Sequence, residues 1–185
     1  EEVESGSIKI SGLICKNFNK GFSRPNANLE LNQYFIKEKK VVITDVDTRS
    51  LVKHIRDKGA MNAIISSEIL DIEELKIRLK KVPSMEGLEL SSSVSTKETY
   101  CLGNKESEIK VAVLDLGVKN NILNCLTDRG VYLKVFPMKT SYEEMKSWNP
   151  DGYFLSNGPG DPAAMPEVVK EVKKITSDGR PVFGI

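Results

Sequence analysis

From Tyr153 to Pro162 the chain reads Tyr-Phe-Leu-Ser-Asn-Gly-Pro-Gly-Asp-Pro, an apolar run that breaks into a glycine-rich loop. Gly158 and Gly160 lack a Cβ, so the backbone there can take φ > 0 and an anionic oxygen can approach its N–H groups, while Pro159 limits the loop's freedom. In acyl transfer, preorganised N–H donors of this kind stabilise a developing oxyanion by roughly 3 kcal/mol each. An isolated Gly-Pro-Gly is more often an ordinary strand-to-helix connection; the whole run from Ser156 to Pro162 favours a site. An oxyanion hole also needs a nucleophile and a base, and the chain offers poor candidates for both. Cys125 falls beside Ile122 and Leu126 in a helical pattern and reads as a small core residue. Cys15 and Cys101 have no activating neighbour in sequence, and the single histidine, His54, reads as a surface imidazole in a charged helix.

Two other polar stretches stand at element junctions. Asp45 and Asp47 precede Thr48 and a helix, where a carboxylate caps N–H groups or pairs with Arg49, with no metal implied. Asp115-Leu116-Gly117, ahead of Lys119 and Asn120, fits either a plain strand-to-helix turn or a second polar loop beside the first.

The elements that must position these residues alternate between strand and helix. Ile8–Cys15 reads as a strand, residues 17–28 as a loop, and Asn28 as the cap of a short helix carrying Leu31, Tyr34 and Phe35. Val41–Thr44 reads as a strand, Leu51–Ile55 lies in a helix stopped by Gly59, Met61–Ser66 is a strand candidate, and Asp71 opens a helix ended by Pro83. Residues 84–108 are poor in apolar side chains and read as an interdomain connection, with the boundary near Asn104, giving domains at 1–104 and 105–185. Beyond it, strands at 111–114, 132–136, 153–155 and 182–185 alternate with helices at 119–129, after Ser141, and at 167–175. Such alternation predicts an α/β fold with a parallel sheet and right-handed crossovers. The apolar strands 111–114 and 182–185 are expected to be under-covered, which would leave the second domain marginally stable.

Composition sets broad limits. The 185 residues are 39% hydrophobic and 29% charged, and 27 basic against 26 acidic side chains leave a formal charge of +1, so charge balance recruits neither nucleic acid nor a membrane. Three separated cysteines form no zinc or disulfide spacing and fit a reducing, cytoplasmic setting. The opening residues contain no signal peptide and no initiator Met, and the closing strand has no helix after it, so the chain is expected to be cut at both ends.

With these pieces placed, the second half resembles the start of a class I glutamine amidotransferase domain. Leu155–Pro162 is similar to that family's loop, and Pro181-Val182-Phe183-Gly184-Ile185 to the strand feeding its catalytic cysteine. Asp45-Val46-Asp47-Thr48-Arg49 and Gly59-Ala60-Met61-Asn62-Ala63 resemble the amino-terminal domain of carbamoyl phosphate synthetase small chains, and this narrows the family. Asp115–Ile122 also fits, with Leu116 and Asn120 as departures.

The resemblance implies a mixed α/β amino-terminal domain followed by the first part of a parallel-sheet amidotransferase domain. It implies Gly158 as oxyanion donor, Gly158 and Gly160 as glutamine contacts, and a cysteine nucleophile directly after Ile185, so that these 185 residues alone would be inactive. The implied partners are L-glutamine and a large synthetase subunit that uses ATP, Mg and bicarbonate. No cofactor or metal is implied in this chain. Two rivals are a different amidotransferase with an unusual amino-terminal extension, and a non-catalytic module that binds a carboxylate or docks a partner.

Overall fold

The computed structural model describes residues 7–19, 21, 29–59 and 61–185. Asn28, Ala60 and the first six residues lie outside these, and with them the expected cap at Asn28. The chain divides into two compact units, Glu1–Met85 and Glu86–Ile185.

In the first unit, β1 (Gly12–Ile14) pairs in parallel with β2 (Val41–Ile43). Three helices accompany them: α1 (Leu31–Lys37), α2 (Thr48–Lys58) and α3 (Ile72–Leu79). The expected capping at Asp47 is present: its carboxylate accepts from Ser50 N at 3.1 Å and Ser50 Oγ at 2.7 Å, satisfying donors that the first turn of α2 leaves open. Those bonds hold the Asp47 carboxyl below its ordinary range. Asp45 pairs with Lys16 at 2.9 Å, not with Arg49. Gly59, at φ 86°, ends α2 and donates to Ile55 O at 2.8 Å. The strand expected at Met61–Ser66 does not form; this stretch has no strand partner among the described residues, and Asn62 Nδ2 instead donates to Val82 O and Pro83 O at 3.0 Å each. Phe35 is the one buried hydrophobic residue described in this unit, edge-on to Phe18 at 6.1 Å.

The second unit is a doubly wound α/β layer. Its strands are β3 (Tyr100–Leu102), β4 (Ile109–Asp115), β5 (Val131–Pro137), β6 (Gly152–Leu155) and β7 (Val182–Gly184), ordered β3-β5-β4-β6-β7. All pairs are parallel except β3 with β5. Side chains alternate across the sheet. Ala112, Leu114, Phe136 and Tyr153 therefore face one way, under Tyr142 and Met145 of α5 (Tyr142–Ser147) and Val168 and Ile175 of α6 (Pro166–Thr176). Val113, Leu133, Val135 and Phe154 face the other way, under Leu123 of α4 (Asn120–Thr127). Ser141 caps α5, its hydroxyl accepting from Glu144 N at 3.2 Å.

Two sequence expectations are revised here. Cys125 is exposed rather than a core residue, because Leu123 is the side chain of α4 turned to the sheet. The polar stretch expected to connect two domains belongs to the second unit from Glu86 onward. It forms the 3-10 turn Ser91–Ser93 and edge strand β3, and buries Ser91 and Ser95. The hydroxyls of Ser91 and Ser95 bond backbone groups, so low hydropathy there does not mean exposure. Among the described residues no helix is long and apolar enough to cross a membrane.

Candidate functional site

Strand order places the site. From the central strand β4 the chain moves to β5 on one side through α4, then crosses back to β6 on the other side through α5. The loops that follow β4 and β6 thus leave neighbouring strands toward opposite faces, and a crevice at the carboxyl ends of such strands is where open α/β sheets hold ligands. The Asp115–Lys119 and Ser156–Met165 loops stand at that point.

The two loops interlock. Ser156 is buried; its hydroxyl accepts from Leu116 N at 2.8 Å and donates to Asn157 O at 2.8 Å. Asn157 Nδ2 donates to Gly117 O at 3.2 Å, while its Oδ1 is buried without a partner among the described residues. Asp115, 4% exposed, accepts Gly117 N at 2.9 Å and Val118 N at 2.8 Å on Oδ1, and Thr96 N at 2.7 Å on Oδ2. A buried carboxylate with three N–H donors is well compensated for its lost hydration. Burial, and then the Asp115 charge, push the nearby Tyr100 hydroxyl above its ordinary range. Of the two readings open for Asp115-Leu116-Gly117, the structure thus supports the polar loop beside the first.

Gly158 and Gly160 are glycines for reasons inside the protein. A Cβ on Gly158 would fall 2.2 Å from Leu116 O and 2.8 Å from Ser91 Oγ. On Gly160, at φ 96°, it would fall 2.7 Å from Leu88 O and 2.9 Å from Leu90 N. Both positions are packed from behind by backbone, which has no rotamer with which to yield. Gly158 itself is exposed, and its N–H makes no hydrogen bond among the described residues. On the adjacent strand Ile185 N donates to Leu155 O at 3.2 Å, so β7 delivers the chain beside the root of the same loop. Asp161 caps the 3-10 turn Pro162–Ala164 through Ala163 N at 2.9 Å.

His54 is an exposed residue of α2 in the first unit, while Cys101 and Cys125 are exposed on β3 and α4. No thiol or imidazole of the described residues hydrogen-bonds to the Ser156–Met165 loop. What sequence reasoning missed is the segment packed against this loop, residues 87–96, whose run of small polar residues carries no motif.

The second unit is an α/β layer with a glycine-rich loop at its switch point, and the family model for glutamine amidotransferase class-I matches residues 112–185, which defines it as a domain of that class. The model for the carbamoyl-phosphate synthase small chain, CPSase domain, matches residues 1–65. Proteins named carbamoyl phosphate synthase small chain are similar along the whole chain: that of Synechococcus sp. is 39% identical over all of this chain and 50% of its own length, and that of Neisseria meningitidis serogroup B is 39% identical over all of this chain and 52% of its own. The protein of that name from Clostridium acetobutylicum is 39% identical over 98% of this chain and 50% of its own length. The chain belongs to the carbamoyl phosphate synthase small chain family, and it spans about half the length of the curated relatives it matches.

Proposed function

We propose that the whole protein hydrolyses glutamine and delivers the ammonia to a large synthetase subunit, which makes carbamoyl phosphate from bicarbonate and ATP in the cytoplasm. One observation carries the reading: the Gly158 N–H, unpartnered among the described residues, is held at the carboxyl end of β6 beside the chain that leaves β7. In a chain of the relatives' length, a cysteine carried just beyond β7 would emerge next to this donor. The thiolate adds to the glutamine amide carbon, and the carbonyl oxygen takes up the negative charge. The Gly158 N–H stabilises that oxyanion, with Gly160 shaping the floor of the glutamine site. Collapse of the tetrahedral adduct to a thioester releases ammonia once the leaving nitrogen is protonated, and water then releases glutamate. This chain needs no cofactor of its own for these steps; ATP and Mg belong to the partner's chemistry.

The test is ammonia and glutamate release from the full-length parent and from residues 1–185 alone. The reading expects turnover in the first and none above a buffer control in the second. A full-length parent, paired with its large subunit, that leaves glutamine intact overturns it.

A further inference from the structure

We propose that residues Gly87–Thr96 are a positioning strap for the Gly158 oxyanion donor, fastened at its two ends by the carboxylates of Asp161 and Asp115. The inference rests on the glutaminase reading above. It concerns residues that neither matched family model covers, since these span 1–65 and 112–185.

The strap meets the loop along its length. At its start, Gly87 N donates to Asp161 Oδ2 at 3.1 Å and Leu88 O accepts from Asp161 N at 2.9 Å, with Glu89 bridged antiparallel to Gly160. In the middle, Ser91, fully buried, donates its hydroxyl to Pro159 O at 3.1 Å and lies against Gly158. Glu89 Oε1 accepts from Ser92 N at 2.7 Å and so fixes the turn that carries Ser91. At its end, Thr96 N reaches Asp115 Oδ2 at 2.7 Å, and Ser95 Oγ accepts from Met138 N at 3.0 Å. The strap therefore holds the Pro159–Gly160 peptide and packs Ser91 against Gly158, while the Asn157–Gly158 peptide that carries the donor is held by Ser156 Oγ and, through it, by Leu116 N. A backbone donor is useful only if its peptide plane is fixed before charge develops, and a misplacement of about 1 Å costs about a hundredfold in rate.

The two carboxylates divide their work in a way that permits a selective cut. In each, Oδ2 takes the strap's N–H and Oδ1 takes donors from elsewhere: Ala163 N for Asp161, Gly117 N and Val118 N for Asp115. Asp161→Asn and Asp115→Asn can keep the Oδ1 bonds through the amide oxygen and turn an NH2 group on the strap donor.

Both variants are made in the full-length parent paired with its large subunit, and glutamine hydrolysis is followed alongside synthesis from added ammonia. Each is expected to lower kcat about tenfold with KM within about twofold, a fraction of what deleting an oxyanion donor costs. Synthesis from added ammonia stays at the wild-type rate. The double variant is expected to lose less than the product of the singles, since either cut already frees the strap. Should either variant fold poorly, Ser91→Ala removes only the bond to Pro159 O, with a drop of about threefold expected in the same sense. An unchanged kcat, or losses that track the folded fraction alone, overturns the strap. A wild-type parent that hydrolyses no glutamine overturns the glutaminase reading, and the strap falls with it.

Discussion

Gly158 shows how one residue type answers two demands. Its exposed N–H is the oxyanion donor of the proposed reaction, while its α-carbon is pressed against Leu116 O, leaving 2.2 Å where a Cβ would stand. Gly158→Ala must therefore move the loop, because a carbonyl cannot rotate aside. The expected outcome is a loss of at least about a hundredfold in glutamine hydrolysis, the scale of a lost oxyanion donor, with about 1–3 kcal/mol of overpacking strain. Steady-state assays and denaturant melts of the full-length variant measure the two; near-wild-type turnover would mean that the donor lies elsewhere. The loop itself was legible in the sequence, because glycine, proline and polar residues in that order after an apolar strand admit few structures. Its supports were not. Ser91, Ser95 and Thr96 act through hydroxyls and backbone N–H groups on partners far away in sequence, and no local spacing encodes such bonds.

Among the elements, α5, the start of β6 and the α6–β7 turn meet at Asp178. Its carboxylate, 6% exposed, accepts from the Tyr142 hydroxyl, from Tyr153 OH at 3.4 Å, and pairs with Lys146 and Arg180 at 3.4 Å each. The Tyr142 bond first, then Lys146 and Arg180, hold the carboxyl below its ordinary range against the opposing effect of burial. A depressed carboxyl stabilises the fold above its unfolded pKa of about 4, and that contribution is lost as pH falls through the lower folded value. Asp178→Asn should thus melt several degrees below wild type at pH 7, and the gap should narrow toward pH 3 and below. A gap that stays constant across that range would remove the linkage. Ser141→Ala, which deletes the N-cap of the six-residue α5, is expected to cost about 1 kcal/mol in chemical denaturation, against no change if Glu144 N finds another acceptor. The starts of the capped helices are legible in the sequence, whereas α3 ends at Leu79, before the Pro83 expected to stop it. The antiparallel edge strand β3 is illegible in the sequence because three residues carry too little periodicity, and Met61–Ser66 reads as a strand because apolar content says nothing about an available partner edge.

Across the whole molecule, burial divides the two strands expected to be under-covered in the second domain. Val113 and Leu114 of β4 are fully buried on opposite faces; only the outer strand fits the expectation, with Phe183 65% and Ile185 64% exposed. The first unit buries Phe35 alone among its described hydrophobic residues, while Ile36, Leu70 and Ile72 stand open. Hydrophobic burial near 25 cal/mol per Å² is the main term opposing chain entropy, so opening free energy should differ between the units. Hydrogen exchange is expected to be slowest in β4 and β5 and much faster in α2 and α3, whose helices bury no residue. Leu133→Ala, which removes a fully buried side chain beneath α4, should cost about 2–5 kcal/mol, and should speed exchange throughout the β4–β5 pair while leaving α2 and α3 unchanged. Equal acceleration in α2 would mean that the first unit draws its stability from the second and opens only with it. Unchanged exchange in both would mean that the core around Leu133 does not limit opening anywhere in the sheet.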